Sequence, residues 1–168
     1  MRSVLRRGAT KALLLALAML ATLIPAAPAR AAWAQQLPLT LQIMHYYSSG
    51  GSTQLGLVTG TVQFDDGGSA LQYSLTFCRQ SSYAVPYMTI NVNSFTAGGR
   101  KYGTYITTVY PDYTGYSSTP PCYSTTGTAF GQFTYADFWN VEFIAYGSTF
   151  EGQSYVVESQ DRIYSNPY

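Results

Sequence analysis

Length, composition and charge limit what this chain can be. It has 168 residues, 16 of them tyrosine, and only 10% are charged. Residues 1–31 hold five of the nine basic residues, so residues 32–168 carry four basic against eight acidic side chains, a net charge of −4. A nucleic-acid binder is excluded, because phosphate contacts need clustered Lys and Arg. The many aromatic and β-branched residues argue against disorder.

The N-terminus has the three parts of a secretion signal. Basic residues precede an apolar run at residues 13–24, and a stretch of small residues follows it. The run is shorter than a membrane-spanning helix. Cleavage after Ala31 would leave Ala32 first. The sequence therefore predicts a signal peptide at residues 1–31 and a single domain at residues 32–168. The protein is expected to be secreted, extracellular or at the cell surface, with no membrane span after cleavage.

Beyond the signal, apolar and polar residues alternate with a period of two, and Gly-rich turns interrupt the alternation. This pattern predicts an all-β fold, an antiparallel β-sandwich of about eight strands, with a small closed β-barrel as the alternative. The clearest hairpin turn is the stretch Asp-Asp-Gly-Gly at residues 65–68, since Asp and Gly tolerate positive φ. The predicted strands are residues 39–47, 55–64, 69–79, 85–95, 101–110, 127–135, 139–147 and 153–164.

Two cysteines, Cys78 and Cys122, lie in the predicted domain. Export would place them in an oxidising compartment, where a lone pair tends to form a disulfide. Cys78 falls on the outward phase of its strand, opposite Phe77. The bond is therefore expected to hold the segment 111–126 against an outer sheet face. The immunoglobulin pattern is not matched, because no Trp lies between the cysteines.

A long loop at residues 111–126 is the predicted recognition element. It carries prolines at both ends, which disfavour regular strand pairing, and tyrosines spaced among Ser, Thr and Gly. Such a composition is typical of recognition loops, in which Tyr supplies contact area at low entropic cost. The predicted ligand-binding residues are Tyr110, Tyr113, Tyr116 and Tyr123. Tyr113 and Tyr116 are expected to be exposed and to lead the contact with the ligand.

Catalytic and metal sites find less support in the sequence. His45 is the only histidine and the cysteines are expected to be paired, so no metal site and no cofactor is predicted. Glycoside hydrolysis needs two carboxyl groups in different environments. Glu142, in mid-strand beside aromatic residues, with Asp137 as the second acid, is the candidate catalytic pair. Glu151 and Glu158 are further candidates.

These patterns predict a secreted, non-catalytic binding or structural protein whose partner is a cell-wall glycan or an extracellular protein, contacted through the Tyr-rich loop. The alternative is a small secreted glycan-active hydrolase that uses the paired carboxylates. A binder should tolerate the loss of its carboxylates but not of the loop tyrosines, and a hydrolase should behave in the opposite way.

Removal of the signal peptide is directly measurable. The protein recovered from culture medium is expected to begin at or near Ala32, because the small residues before it satisfy the cleavage rule. Intact-mass measurement checks this start. A secreted product that still contains residues 13–24 would contradict the prediction.

Overall fold

The computed structural model of the protein describes residues 32–168, so the predicted signal peptide at 1–31 lies outside the described residues. The described part consists of nine strands and has no helix, which confirms the all-β prediction. The strands are β1 (Leu37–Tyr46), β2 (Ser52–Phe64), β3 (Ala70–Cys78), β4 (Tyr87–Ala97), β5 (Arg100–Val109), β6 (Asp112–Tyr116), β7 (Thr125–Thr134), β8 (Asn140–Glu151) and β9 (Ser154–Ser165).

The strands form two antiparallel sheets. The first sheet has five strands in the order β1-β2-β3-β7-β6, and the second has four in the order β5-β4-β8-β9. Each sheet of the described chain ends in two edge strands, so the predicted alternative of a small closed barrel is wrong. The chain leaves the first sheet after β3, builds β4 and β5 of the second sheet, and then returns to the first through β6 and β7. β3 and β7 are therefore neighbours in the sheet, although 46 residues lie between the end of β3 and the start of β7.

The predicted hairpin joins β2 and β3. The turn between them has Gly68 at φ +63°, a conformation that glycine adopts without steric cost. The Asp65 carboxylate accepts hydrogen bonds from the Ala70 amide at 2.6 Å and from the Ser69 hydroxyl at 3.2 Å. These contacts close the turn, and they set the register in which Val62 faces Tyr73 and Phe64 faces Leu71.

Alternation along the strands supplies the core, to which the inner faces of both sheets contribute. Burial of a Leu, Ile, Val or Phe side chain stabilises a fold by about 1.5–3 kcal/mol, so this cluster dominates stability. The largest fully buried apolar side chains are Phe64, Phe77, Phe143, Leu39, Leu41, Ile43, Leu55, Leu71, Leu75, Met88 and Ile90.

Side-chain contacts link the edge strands β1 and β9, which belong to different sheets. Nδ1 of the buried His45 lies 2.8 Å from Oε1 of Glu158. The Tyr164 hydroxyl donates to the carbonyl oxygen of Pro38. His45 lies in β1, within the predicted first strand at residues 39–47. Its contact with Glu158 ties the two sheets together along the edges formed by β1 and β9.

A ninth strand, β6, lies within the segment 111–126 that was predicted to be an irregular loop, and that prediction is wrong for Asp112–Tyr116. These residues pair with β7, with a register irregularity between Asp112 and Gly115. The prolines that disfavour pairing flank the strand and do not lie in it, so each of its five residues keeps its amide donor. The strand is short and lies at the sheet edge.

The predicted disulfide between Cys78 and Cys122 is present. Cys78 is the register partner of Leu57, and these two residues form a small buried cluster with Cys122. Since Phe77 belongs to the main core, this cluster lies on the opposite, outer face of the first sheet. The bond therefore holds the β6–β7 connection against that face, as the strand phase predicts.

Removal of the disulfide is expected to destabilise the fold. The bond closes a sequence separation of 44, for which chain-entropy reasoning gives up to about 4 kcal/mol, with typical values of about 2–4 kcal/mol. The variant Cys78→Ala/Cys122→Ala should lose that much unfolding free energy in a urea titration. A change below about 0.5 kcal/mol would mean that the bond does not constrain the unfolded chain.

Candidate functional site

Tyr113 is half-buried, and the prediction that it is exposed is wrong. It lies in β6 and packs against the main core, and its hydroxyl donates to the Pro86 carbonyl oxygen at 3.1 Å. Burial raises the pKa of this phenol well above its ordinary value. Tyr113 is the single inward residue of this five-residue strand. It is therefore buried although no alternating apolar pattern surrounds it.

The other three predicted ligand-binding tyrosines are exposed. Tyr110 and Tyr116 are each 74% exposed, and Tyr123 is also exposed. The Tyr110 ring stacks on Tyr87 with ring centroids 5.6 Å apart, and Tyr87 stacks in turn on Tyr146 at 5.0 Å. Tyr110 therefore continues a row of rings on the second sheet. The four predicted ligand-binding tyrosines do not share one environment.

Three of the four candidate carboxylates have polar partners. Oε1 of Glu142 accepts a hydrogen bond from Nζ of Lys101 at 3.0 Å. Glu158 pairs with His45, and Glu151 accepts from the amide and the hydroxyl of Ser48. These two hydrogen bonds lower the pKa of Glu151, the hydroxyl having the larger effect. The fourth, Asp137, lies in the β7–β8 connection at φ +58°.

Glu142 is only 2% exposed although it points to the outer face of the second sheet. Lys101 covers it and also contacts Oδ2 of Asp161 at 2.8 Å. The hydrogen bond to Asp161, followed by that to Glu142, raises the pKa of Lys101. The cavity beside Glu142 measures about 10 Å³, which is room for at most one water molecule. This carboxylate is therefore neutralised and has no space for a sugar beside it.

Charge divides unevenly between the two sheets. Four neighbouring strands of the first sheet, β1, β2, β3 and β7, contain no Asp, Glu, Lys or Arg. Most of their outward positions carry Thr, Ser or Gln, and the others include Phe130 and, beside the disulfide, Leu57 and Cys78. The strands of the second sheet contain seven charged residues, which are Arg100, Lys101, Glu142, Glu151, Glu158, Asp161 and Arg162.

A groove of about 540 Å³ lies on this uncharged face. Outward residues of three neighbouring strands form it, because register pairs Thr61 with Ser74 and Ser74 with Phe130. Phe130 is 87% exposed, so both faces of its ring are open to a ligand. The lining residues are Gln36, Thr61, Gln63, Gln72, Tyr73, Ser74, Phe130, Gly131 and Gln132.

Hydrogen bonds orient the amides along one side of the groove. Nε2 of Gln72 donates to Oε1 of Gln63 at 2.7 Å, and Nε2 of Gln63 donates to the Ala34 carbonyl oxygen at 2.9 Å. The segment before β1 takes part in this arrangement, since Ala34 also donates its amide to the Phe64 carbonyl oxygen. Each amide keeps a second N–H or a carbonyl lone pair for a ligand.

Glycine at position 131 leaves room for the Tyr73 ring beneath the groove. A Cβ on Gly131 would fall on the hydroxyl end of Tyr73, its register partner in β3. The half-buried Tyr73 ring therefore covers the glycine, as expected where an aromatic ring fills the gap that glycine leaves in a strand. Burial raises the pKa of Tyr73.

This groove has no counterpart among the sites predicted from the sequence. Gln63, Gln72 and Gln132 are ordinary outward strand residues in the sequence, and the third lies 60 positions after the second. Only the pairing of β3 with β7 brings them into one row. The one available signal was the aromatic residue at Phe130, which stands on the outward phase of a strand that is otherwise polar on that side.

Comparison with known proteins adds no family. No protein-family model, no curated protein and no solved structure matches this chain. No His, Cys, Asp and Glu cluster that could hold a metal ion occurs among residues 32–168. The groove and the chemistry of its side chains are therefore the basis for a proposed function.

The different placements of two loop tyrosines predict different effects on stability. Tyr113→Ala removes a core contact and a hydrogen bond, and it should lower the unfolding free energy by about 2 kcal/mol or more. Tyr116→Ala, at an exposed position of the same strand, should change it by less than about 0.5 kcal/mol. Urea denaturation of both variants checks this. Equal effects would contradict the distinction between a structural and a surface tyrosine.

Proposed function

We propose that the protein is a non-catalytic binding protein that acts outside the cell and recognises uncharged glycans. The observation that carries this proposal is the groove beside Phe130, a site without any charged lining residue. We further propose that the two sheets pack as a β-sandwich, with the groove on the outer face of the first sheet.

The lining chemistry suits a sugar. Each sugar hydroxyl both donates and accepts hydrogen bonds, and so do the amides of Gln and the hydroxyls of Thr and Ser. No ionic group has to be desolvated when a neutral ligand enters, and desolvation of an ion is the largest cost of a buried polar site. An anionic ligand would find no cation in this lining. The groove therefore favours neutral ligands rich in hydroxyl groups.

Phe130 supplies the apolar contact. A sugar ring presents a face of C–H groups that packs on an aromatic ring. An exposed Phe on a face made of Thr, Ser and Gln is an isolated apolar platform with polar groups around it. Binding sites are typically built in this way, with apolar area for affinity and a few polar groups for orientation.

Preorganisation supports the same proposal. The hydrogen bonds from Gln72 to Gln63 and from Gln63 to Ala34 restrict two flexible side chains before any ligand arrives. Ordering a long side chain on binding costs about 0.5–1.5 kcal/mol, and this cost is reduced when the side chain is already held. The strands of the sheet hold the backbone of the groove in the same way.

The exposed tyrosines at positions 110, 116 and 123 are proposed as a second contact surface. Tyr116 and Tyr123 are available for a second contact, with a longer glycan or with an extracellular protein partner. Tyr110 offers one open ring face, because Tyr87 covers the other. Tyr113 is better explained as a core residue than as a ligand contact.

The hydrolase alternative has weaker support. Its principal residue, Glu142, is held by Lys101 beside a cavity of about 10 Å³. The groove large enough for a sugar lies on the other sheet and has no carboxylate in its lining. Acid–base cleavage needs two carboxyl groups that flank the bond to be broken.

Two further observations bear on location. The Cys78–Cys122 disulfide is consistent with an extracellular protein, because disulfides persist in oxidising compartments. Among residues 32–168 no helix is long and apolar enough to span a membrane. The disulfide and the predicted signal peptide together support the proposal that the protein is secreted.

Loss of the Phe130 ring tests the proposed function. The purified protein should bind one or more of the neutral polysaccharides cellulose, xylan, mannan and chitin. Phe130→Ala should weaken that binding at least about tenfold, as is usual for a central aromatic contact. Affinity electrophoresis and sedimentation with the insoluble polymers measure this.

A matched control is Phe95→Ala, which removes another exposed Phe but from the second sheet. This variant should bind like the unchanged protein. If the unchanged protein binds none of these polymers, or if Phe130→Ala binds as well as the control, the groove is not a glycan site.

A further inference from the structure

The outer face of the first sheet repeats its chemistry from strand to strand. One row across the strands consists of Gln63, Gln72 and Gln132, which are consecutive register partners. A second row consists of four threonines that are partners in the same way, Thr40, Thr59, Thr76 and Thr128. Within each row the side chain is the same on every strand.

The chemistry changes when the same surface is followed along a strand. In β7 the outward residues are Thr128, Phe130 and Gln132, and in β3 the corresponding residues are Thr76, Ser74 and Gln72. A ligand that lay along one strand would meet a different group at each step. A ligand that crosses the strands would meet the same group repeatedly along the Gln row and along the Thr row. The row between them consists of Thr61, Ser74 and Phe130, so it is polar on β2 and β3 and aromatic on β7.

The repeat is regular because the register is continuous here. The pairings of β2 with β3 and of β3 with β7 contain no bulge, and the irregularity in the β1–β2 pairing lies at Ile43 and Met44, away from these rows. Neighbouring strands are about 4.8 Å apart. A pyranose unit in an extended chain has a similar length, so one sugar can stand over each strand.

We propose that the groove binds an extended, unbranched, uncharged polysaccharide whose chain crosses β2, β3 and β7, with one sugar unit over each strand. This inference rests on the proposed glycan-binding function and adds the architecture of the ligand and its direction on the sheet. The amide row lies on one side of the chain. The row of Thr61, Ser74 and Phe130 lies beneath it and ends at the exposed ring.

The direction assigns different roles to the two ends of the groove. Phe130 on β7 anchors the first sugar, so it contributes to the binding of a ligand of any length. Thr61 on β2, at the opposite end of the same row, reaches only the third unit. Asp112, the exposed register partner of Thr128 on β6, adds a negative charge near the anchored end and disfavours acidic sugars there.

The test uses a size series of soluble neutral oligosaccharides, from two to six units, prepared from the polymer that the unchanged protein binds. Calorimetry or ligand-observed NMR measures each dissociation constant. Affinity should rise from two to three units, the number of strands that line the groove, and should then level off, because a fourth unit would lie beyond those strands. The oligosaccharides of a polyuronate, matched in length, should bind more weakly.

Two variants distinguish the contributions of the two ends of the groove to binding. Thr61→Val keeps the shape and the β-branch but removes the hydroxyl. It should weaken binding of three or more units by about two- to tenfold, as expected for one hydrogen bond, and leave the two-unit ligand unchanged. Phe130→Ala should weaken all lengths. Thr104→Val, on the second sheet, is the matched control and should change nothing.

Three results would overturn the inference in different ways. Binding that depends on Phe130 but is equally strong for two and six units would mean that the site takes a single terminal sugar, and the glycan-binding function would stand without the crossing chain. The absence of binding to every neutral oligosaccharide would overturn both. Equal loss at all lengths for Thr61→Val, with an unchanged thermal midpoint, would also contradict the assigned direction.

Discussion

The structure depends on the alternation of side chains along the strands of the first sheet. Inward and outward residues alternate in β2 from Val58 to Phe64 and in β3 from Leu71 to Phe77, so that Val58, Val62, Leu71 and Leu75 enter the core. Burial of such residues dominates the stability of the sheet. The remaining positions must then face outward in straight rows. Between Thr59 and Gln63 in β2 and between Gln72 and Thr76 in β3, those positions carry Thr, Ser and Gln. Here the same alternation that builds the core also builds an uncharged polar surface.

The two sheets divide the polar chemistry between them. The second sheet holds seven of the eight charged residues that lie in strands, and it pairs its most buried carboxylate, Glu142, with Lys101. An uncompensated buried charge costs several kcal/mol, so this pairing is a structural requirement. The first sheet avoids the problem by having no charged residue in β1, β2, β3 and β7, and its amides can pair with each other and with a ligand. This uncharged surface is the reason for which we propose a neutral partner.

The local parts of the fold could be predicted from sequence, whereas the site could not. Alternation, the turn at residues 65–68 and the pairing of Cys78 with Cys122 are encoded by nearby residues or by a single possible partner. Strand β6 was not predicted because a single inward residue, Tyr113, cannot produce an alternating pattern of apolar and polar residues. The groove depends on the pairing of β3 with β7, and the 46 residues between these strands give no local signal for it.

The central claim is that ligand binds on the outer face of the first sheet, and side-chain NMR tests its location most directly. The side-chain amides of Gln63, Gln72 and Gln132 can be followed during titration with neutral oligosaccharides of the bound polymer. The account predicts that these three signals shift, while the amide of Gln160, exposed on β9 of the second sheet, does not. Shifts at Gln160 with unchanged groove amides would contradict the account.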